Sequence, residues 1–319
     1  MLGFLTGQAK SERKHDVSAN TIEVSGEGEV RVGQHVSLAA GIQVVFHRPS
    51  TLTIGDYCVV GPGVKFVCDG GDITLGDWTS LHDRCLVLAS AGVSVGQHGW
   101  FGQHSVLDGT GGLTIGNGVR VGMYSQIWSH VAAGEQIEGC TLFGKRPVQI
   151  EDDVWLVGSC IVASGITIGR RSTALIGSNI TKSCPPHSVL AGSPATSKDS
   201  LSFYRPIDAE TKWQMLCGWL AEIAKAQLLQ LSGELDVQVL TMTQTGQSES
   251  IVFAKTAEVA DLWATRRPGA TICCLETKRY RKRLTNLEHQ VLRSLAGNKA
   301  RFVSEPADKS CPSAEQGKG

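Results

Sequence analysis

The chain has 319 residues, and its 30 basic and 30 acidic side chains give a formal net charge of zero. This balance gives no indication of a nucleic acid partner or of attraction to an anionic membrane. No stretch approaches the ~20 consecutive apolar residues that would cross a bilayer, and no apolar core of a signal peptide follows the N-terminus. We therefore expect a cytoplasmic protein without a transmembrane segment, which could lie at the periphery of the inner membrane.

Glycine is unusually frequent, at 37 of 319 residues, where about 7% is typical. Such an excess indicates a repeat fold with many corners. The ten cysteines form no CxxC pair and no cysteine–histidine cluster at zinc-binding spacing. They are interpreted as reduced structural thiols, and no metal ion is expected.

A pair made of an aliphatic residue and glycine recurs along the first half of the chain. Its glycines are Gly33, Gly55, Gly76, Gly96 and Gly116, spaced 22, 21, 20 and 20 residues apart. The same slot is filled by Ile150-Glu151 and then by Ile168-Gly169, 18 residues further on. Self-similarity at a fixed period indicates a repeat architecture.

A shorter period of six residues lies inside each unit. Large aliphatic residues recur at every sixth position, with a smaller residue four places after each; from Ile150 the large positions are Leu156, Val162, Ile168, Ala174 and Ile180. This pattern fits a triangular coil with inward-pointing large and small residues and corners at glycine or short polar residues. A β-sandwich would show period two, and a right-handed β-helix lacks strict hexads. Residues 30–200 are therefore predicted to form a left-handed parallel β-helix, so that the fold is mainly β.

The repeat is interrupted once. Glu151 follows Gly116 at a spacing of 35 residues, where 18 would suffice. The coil departs at Ser129-His130 into a loop, 131–147, and returns at Val148. Long excursions from a rigid scaffold are frequent places for binding or catalytic residues.

Several motifs resemble the sugar and polysaccharide O-acetyltransferase branch of the hexapeptide-repeat acyltransferases. They are Leu107-Asp108-Gly109-Thr110-Gly111-Gly112, Ser129-His130, Pro147-Val148-Gln149-Ile150-Glu151-Asp152-Asp153-Val154-Trp155, Thr181-Lys182, Pro185-Pro186 and Ala191-Gly192-Ser193-Pro194-Ala195. The resemblance covers about residues 30 to 196. It implies acetyl-CoA as the acyl donor, a sugar, nucleotide-sugar or glycan acceptor, and a homotrimer with active sites between neighbouring subunits.

The resemblance also implies roles for individual residues. His130 matches the general base, and Trp155 matches a tryptophan that contacts CoA. Gly158 matches the backbone N–H that faces the thioester. Thr181 and Lys182 match a pair that contacts the CoA phosphates or the pantetheine arm.

Two positions depart from the pattern of this branch. Val157 stands where glycine is usual, and Thr196 stands where Lys or Arg is usual, with Lys198 as a candidate substitute. A histidine suits the general base because its unperturbed pKa lies near ~6.5. Asp108 is the candidate that orients His130 or binds the acceptor.

Other residues compete for these roles. The loop acids Glu135 and Glu138 are alternatives to Asp108 as the partner of His130. His82, His98 and His104 lie on coils, but they lack the His-x4-His spacing of a carbonic anhydrase of this fold and are interpreted as solvated or acceptor-facing. Trp155 could equally pack at the edge of the core.

A second, smaller α/β domain is predicted for residues 201–303, after an N-terminal segment 1–29 and the β-helix, and before a disordered tail 304–319. Its expected elements are a helix from Asp208 to about Leu231, strands at 235–239, 251–253, 270–275 and 301–303, and helices at 258–265 and 284–296. The basic run from Lys278 to Arg283 is interpreted as a solvated surface, with a phosphate-binding site as the alternative.

Three functions fit these observations. The first is an acetyl-CoA-dependent O-acetyltransferase of cell-envelope polysaccharide biosynthesis, with direct transfer to a sugar hydroxyl. The second is N-acetylation of a nucleotide-linked amino sugar, which would depend less on His130. The third is a non-catalytic trimeric scaffold, and binding of CoA separates it from both enzymes.

Overall fold

The structure, a computed structural model, describes residues 22–234 and 238–305. It divides into two compact units, one ending at Pro206 and one beginning at Ile207. The first unit is the predicted left-handed parallel β-helix, built from three sheets that we call faces 1, 2 and 3 in chain order. Each turn of the chain adds one strand to each face, so that the strands pair in parallel with the turn before and the turn after.

The strands are short, as hexads require. Face 1 contains Ile22–Ser25, Ile42–Arg48, Lys65–Asp69, Leu86–Ala89, Val106–Gly109, Gln126–Ile127, Ile161–Val162 and Asn179–Ile180. Face 2 contains Glu29–Val32, Thr51–Ile54, Ile73–Leu75, Val93–Val95, Leu113–Ile115, Val148–Ile150 and Thr167–Ile168. Face 3 contains Ser37–Leu38, Val59–Val60, Ser80–Leu81, Trp100–Phe101, Arg120–Val121, Trp155–Leu156, Thr173–Ala174, Val189–Ala191 and an antiparallel last strand, Thr196–Ser197.

The hexad residues fill the prism. Leu156, Val162 and Ile168 are buried, as are the smaller residues that follow them. Hydrophobic burial over the length of the helix therefore sets the register, since a slip by one residue would turn every large side chain to solvent. Burial raises the pKa of the interior Cys85 thiol to about 11, which keeps this sulfur protonated.

Each corner brings the chain close to the next turn. At Gly122 a Cβ would come within 2.0 Å of the Val157 carbonyl oxygen, so only glycine fits there. Other corner positions adopt the left-handed conformation with larger residues, a feature that the sequence did not indicate. At the corner between faces 2 and 3, Tyr57 and Trp78 take φ of 61° and 63° and stack with ring centroids 4.2 Å apart.

The corner between faces 1 and 2 carries the interruption. The loop leaves after the strand Gln126–Ile127 and forms an antiparallel hairpin from His130–Ala132 and Phe143–Lys145, with a short 3₁₀ turn at Gln136–Glu138. The chain then enters the strand Val148–Ile150 of face 2. The parallel pairing of Gln126–Ile127 with Ile161–Val162 continues across the interruption.

The unit borders differ from those expected. The strand Ile22–Ser25 pairs with Ile42 to Val45, so residues 22–29 form part of the β-helix, upstream of the expected border at residue 30. The first unit extends to Pro206 rather than to residue 200. Of the expected tail, Ser304 belongs to a strand, whereas residues 306–319 lie outside the described residues, as do residues 1–21.

The second unit is an α/β domain, as predicted. Its six-stranded mixed sheet contains, in spatial order, Gln230–Glu234, Val239–Thr243, Ser250–Ala254, Thr271–Cys274, Arg279–Arg281 and Val303–Ser304. Its helices are Ala209–Gln227 (α1), Ala257–Arg266 (α2) and Asn286–Ala296 (α3). The side chains of Asp208, Thr256 and Thr285 each cap the N-terminus of one helix.

Three predicted elements of this unit need correction. Helix α1 ends at Gln227 because Leu228 turns into the left-handed conformation, so the expected end near Leu231 is wrong. Residues 230–234, expected to be helical in part, form a strand. The expected strand at 235–239 falls mostly on residues outside those described, and the observed strand runs from Val239 to Thr243.

The basic run also differs from a simple solvated loop. Arg279–Arg281 is a strand with Tyr280 fully buried. Arg281 forms ion pairs with Asp261 at 2.5 Å and with Glu305 at 3.4 Å. The Nε of Arg283 donates to the Pro268 carbonyl at 3.1 Å. Arg281 and Arg283 are therefore paired with groups of their own domain, and they do not support the alternative of a phosphate-binding site.

Among the residues that the structure describes, no helix is long and apolar enough to span a membrane.

Candidate active site

The loop histidine and the buried aspartate meet where the β-helix opens. Nδ1 of His130 lies 2.7 Å from Oδ2 of Asp108. Asp108 is completely buried, whereas the His130 side chain is 36% exposed. The aspartate stands at the end of a face 1 strand, and the histidine begins the hairpin one turn further on. The structure thus joins a shielded carboxylate to an accessible imidazole.

Four further hydrogen bonds hold the carboxylate in place. Oδ1 accepts the Thr110 amide at 3.1 Å and the Thr110 hydroxyl at 2.5 Å. Oδ2 accepts the Ser129 amide at 2.7 Å and the Ser129 hydroxyl at 3.0 Å. The orientation of Asp108 is therefore fixed by residues of two successive turns, before His130 is considered.

The electrostatics of Asp108 follow from these bonds. Burial alone would raise the pKa of its carboxyl, but the hydrogen bonds from Thr110, His130 and Ser129 outweigh it and leave the pKa below its usual value. An ionised carboxylate can only accept hydrogen bonds. Nδ1 of His130 must therefore carry the proton, which leaves the lone pair on Nε2.

Gly111 explains part of the Asp-Gly-Thr-Gly-Gly motif. Its amide donates to the Ser129 hydroxyl at 2.8 Å, so this hydroxyl is oriented toward Asp108. A Cβ on Gly111 would lie 2.2 Å from the Ser129 carbonyl oxygen and 2.7 Å from the Arg146 amide. Glycine is required for the two strands of the chain to approach at the base of the loop.

Sequence reasoning found the pair but not its supports. Thr110 and Ser129 belong to the motifs named above, but they were given no role from the sequence alone. Thr110 lies two residues after Asp108 and Ser129 lies one turn further on, and this proximity could have indicated that they bind its carboxylate. The side chains of Glu135 and Glu138 are exposed on the hairpin, and the carboxylate that contacts His130 is that of Asp108.

Trp155 and Gly158 lie at a different edge of the prism from His130. Trp155 is on the outer side of face 3 and is 46% exposed. Gly158 is the middle residue of the corner between faces 3 and 1, which we call corner 3–1. From Gly158 to Ala163, the residue level with the base of the loop, the chain runs extended for five residues, or roughly 16 Å. Within one subunit these residues are separated from His130 by the width of face 1.

Gly158 is distinctive among the middle residues of corner 3–1. The other described turns have Ala40, Pro62, Asp83, Gln103, Met123 and Ile176 at this position. Its flanking amides are used, since Val157 donates to the Ala174 carbonyl and Ser159 to the Met123 carbonyl. Gly158 is buried, and among the described residues its amide has no acceptor.

Thr181 and Lys182 lie on the same edge as His130. The pairing of Asn179 with Ile161, and of Ile161 with Gln126, sets Thr181 two turns beyond Trp128. At ~4.8 Å per turn this is roughly 10 Å along the axis. Both side chains are exposed.

Val157 and Thr196, which depart from the expected pattern, are accommodated without disruption of the backbone hydrogen bonding. The Val157 amide makes the regular bond between turns, at 2.9 Å. Lys198 Nζ donates to the Thr196 hydroxyl at 3.1 Å, so Lys198 and Thr196 interact with each other at the last strand.

The coil histidines lie at two corners, with His98 between faces 2 and 3 and both His82 and His104 at corner 3–1. His98 stacks on Trp78 between faces 2 and 3, whereas His104 stacks on Tyr124 at corner 3–1. Within the described ranges, no group of three or more His, Cys, Asp or Glu residues could hold a metal ion.

Comparison with known proteins finds relatives that match part of the chain. Over 105 residues the chain is 34% identical to nodulation protein L of Rhizobium meliloti strain 1021, covering 32% of this chain and 57% of that protein. A protein of Schizosaccharomyces pombe assigned as an acetyltransferase is 36% identical over 85 residues, covering 26% and 41% of the two chains. The chain spans about half the length of these two curated relatives. No family model matches it.

Solved structures with a similar architecture include the polysialic-acid-specific acetyltransferase NeuO, at 16% identity and a TM-score of 0.48, with 63% of this chain and 97% of that one covered. A hexapeptide-repeat acetyltransferase of Vibrio cholerae, complexed with acetyl coenzyme A, is 24% identical with a TM-score of 0.32, and the coverage is 48% and 71%.

Proposed function

We propose that the chain is an acetyl-CoA-dependent O-acetyltransferase that acts on a sugar or glycan hydroxyl, with His130 as general base. The observation that carries this proposal is the Asp108–His130 pair, at 2.7 Å, at the point where the β-helix opens. The sequence similarity to assigned acetyltransferases supports the reaction class. A role in cell-envelope polysaccharide biosynthesis is part of the proposal.

The proposed reaction is direct transfer. The lone pair of His130 Nε2 takes the proton of the acceptor hydroxyl as its oxygen attacks the thioester carbonyl. The carboxylate of Asp108 holds the tautomer and stabilises the imidazolium that forms. The tetrahedral intermediate expels CoA as thiolate, which receives the proton from the imidazolium. No nucleophilic serine or cysteine is needed, because the thioester is already activated.

Gly158 is the proposed donor to the oxyanion. Its N–H has no acceptor among the described residues and is fixed by the hydrogen bonds on both sides. A preoriented donor of this kind lowers the barrier because it needs no reorganisation during the reaction. The exposed ring of Trp155 and the exposed pair Thr181 and Lys182 are proposed to bind CoA, the lysine as a cation for phosphate.

The two edges of the prism lead us to propose a homotrimer. With roughly 16 Å of face 1 between them, His130 and Gly158 of one subunit cannot reach the same thioester. The hairpin tip exposes Ile137, Leu142 and Phe143, and corner 3–1 with the strand after it exposes Ile176 (73%) and Ile161 (40%). Two different apolar patches on one subunit fit a heterologous, ring-closing contact. The site would then combine His130 of one subunit with Gly158 of the next.

Thiol release from acetyl-CoA, measured with a panel of sugars and nucleotide sugars, tests the reaction. We expect turnover by the wild type and a loss of about 100-fold or more for His130→Ala. A chain that neither binds nor consumes acetyl-CoA would refute the enzyme. A small effect of His130→Ala, together with preference for an amino sugar, would favour N-acetylation instead.

Subunit complementation tests the shared site. We expect His130→Ala and Gly158→Val to be inactive as separate trimers, and mixed trimers made by co-expression to regain activity. Recovery requires that one site draws its two residues from different subunits. Mixed trimers as inactive as the separate variants, with assembly verified by ultracentrifugation, would contradict this arrangement.

A further inference from the structure

A cavity of about 450 Å³ lies along corner 3–1, on the side of Gly158 that leads toward the N-terminus. We call it the corner groove; it is lined by Pro62, Gly63, Asp83, Arg84, Gln103, His104, Met123 and Tyr124. Its residues come from four successive turns, two from each. None of them has a role in the transfer described above.

The groove has a regular column of large side chains. Arg84, His104 and Tyr124 are the last residues of their corners and share the left-handed conformation, with φ of 55°, 58° and 59°. Equivalent positions in successive turns are ~4.8 Å apart. The rings of His104 and Tyr124 accordingly stack, with centroids 5.3 Å apart and an angle of 8°. A comparable column lies between faces 2 and 3, where His35, Tyr57, Trp78 and His98 take φ of 55° to 63°.

The aromatic end of the column is exposed. Tyr124 is 54% and Met123 is 46% exposed. An exposed ring that is braced from behind offers a rigid apolar surface with a polar tip. The apolar face of a pyranose is a suitable partner for such a surface, and the Gln103 side chain beside it can bind hydroxyl groups.

The other end of the groove carries an unneutralised cation. Arg84 is exposed, and within the described part of the chain its guanidinium forms no hydrogen bond or ion pair. The neighbouring carboxylate of Asp83 lies over the previous turn, where a Cβ on Gly61 would come within 3.1 Å of Oδ1. A free guanidinium fits the planar, two-oxygen geometry of carboxylate or phosphate.

We propose that the corner groove binds the acceptor, and that this acceptor combines a pyranose with a carboxylate or phosphate group roughly 10 Å away from it. The inference rests on the proposed function for its direction. The Ser159 amide bonds to the Met123 carbonyl at 2.9 Å, so the aromatic end of the groove adjoins the turn of Gly158. A sugar stacked on Tyr124 would present a hydroxyl to the thioester, while an anionic group two turns away along the groove, at roughly 10 Å, would lie beside Arg84.

Binding without acetyl-CoA tests the groove independently of the reaction. The probes for saturation-transfer NMR and calorimetry are methyl β-D-glucuronide for a sugar carboxylate, UDP-glucose for a diphosphate, and methyl β-D-glucoside as the neutral counterpart. We expect one of the anionic probes to bind more tightly than the glucoside. Arg84→Gln should weaken it about tenfold or more, since hydrogen bonds between charged groups are strong.

Two further variants complete the design. Tyr124→Ala should weaken both the anionic probe and the glucoside, because the stacking surface is lost. Arg170→Gln is the matched control, since Arg170 is exposed at another corner and its hydrogen bonds within the described part of the chain are made by its backbone, with Glu151 and His187. Thermal unfolding would verify that each variant is folded.

The outcomes separate the two proposals. Equal binding of anionic and neutral probes with no effect of Arg84→Gln, or no binding of any probe, would overturn the groove. If binding depends on Arg84 but the chain never consumes acetyl-CoA, the groove proposal is supported and the transferase proposal is refuted. If the enzyme turns over and neither Arg84→Gln nor Tyr124→Ala changes the KM for the acceptor, the transferase proposal stands and the groove proposal fails.

Discussion

Substitution of Asp108 by asparagine tests how the buried carboxylate controls His130. Asparagine has the same shape but offers one oxygen and one NH₂ group in place of two oxygens. Asp108 now accepts five hydrogen bonds, from Thr110, Ser129 and His130. With the asparagine oxygen toward Ser129, the NH₂ faces the Thr110 amide. With the NH₂ toward Ser129, His130 must accept at Nδ1 and lose its lone pair on Nε2.

Both orientations have a cost that can be stated. One buried donor loses its acceptor, which lowers the free energy of unfolding by about 1–3 kcal/mol. The imidazolium loses its anionic partner, and in one orientation the base has the wrong tautomer. General bases contribute about 10²–10⁴-fold, so we expect kcat to fall by about 100-fold or more. The KM for acetyl-CoA should change little, because Asp108 is completely buried and cannot touch this substrate.

The assay is thiol release at saturating acetyl-CoA, with chemical denaturation to follow stability. Asp152→Asn is a matched control. Asp152 is exposed and accepts the Asn117 amide at 2.7 Å. One turn earlier Asn117 itself fills this role, accepting the Gln97 amide at 2.8 Å. An asparagine is therefore compatible with the corner. Activity of Asp108→Asn within about threefold of wild type, with His130→Ala inactive, would refute the orientation argument.

Three other predictions concern stability. Gly111→Ala should lower the free energy of unfolding by about 1–3 kcal/mol and also lower kcat, because a Cβ at 2.2 Å from the Ser129 carbonyl oxygen displaces Ser129, which supports Asp108. Chemical denaturation would measure the first effect and the thiol assay the second. Unchanged stability would contradict the close approach at Gly111. Folding lowers the pKa of Asp108, so its contribution to the free energy of unfolding is complete above the unfolded value of ~3.9 and is lost as pH falls through the lower folded pKa. Asp108→Asn should therefore make the free energy of unfolding depend less steeply on pH in this acid range. An equally steep dependence would argue against the pKa shift. In the second unit, Glu288→Ala leaves the buried Thr271 hydroxyl and the partly buried Arg283 amide without their acceptor, at 2.6 Å each, and should cost about 2–4 kcal/mol. The exposed Glu258→Ala should cost little. Calorimetry would compare the two variants, and equal losses would refute the reasoning.

The β-helix could be predicted because its pattern is set by packing. Each hexad residue such as Val162 must face the interior of the prism, so burial leaves its period in the sequence. The corners could not be predicted equally well. Tyr57 and Trp78 occupy left-handed positions that local propensity assigns to glycine. Stacking between successive turns stabilises them, and this is a tertiary effect.

The candidate site was predictable in part for a similar reason. The excess of residues between Gly116 and Glu151 indicated a loop, and it singled out His130. The contact between Asp108 and His130 can be deduced only when the register between successive turns is known. The separation of Gly158 from His130 follows only from the three-dimensional arrangement of faces and corners. In the second unit, the strand Arg279–Arg281 was missed because its charges masked the buried Tyr280.

A protein in which every turn contacts only its neighbours has a length that can be altered in whole steps. The pair of Asp108 and His130 belongs to the turns around the loop, whereas Arg84 belongs to a turn nearer the N-terminus. Insertion of one complete turn between Arg84 and His104 would move the cation ~4.8 Å further from the reacting centre and leave the pair untouched. The number of turns therefore acts as a ruler, which sets how far from its charged group an acceptor is modified.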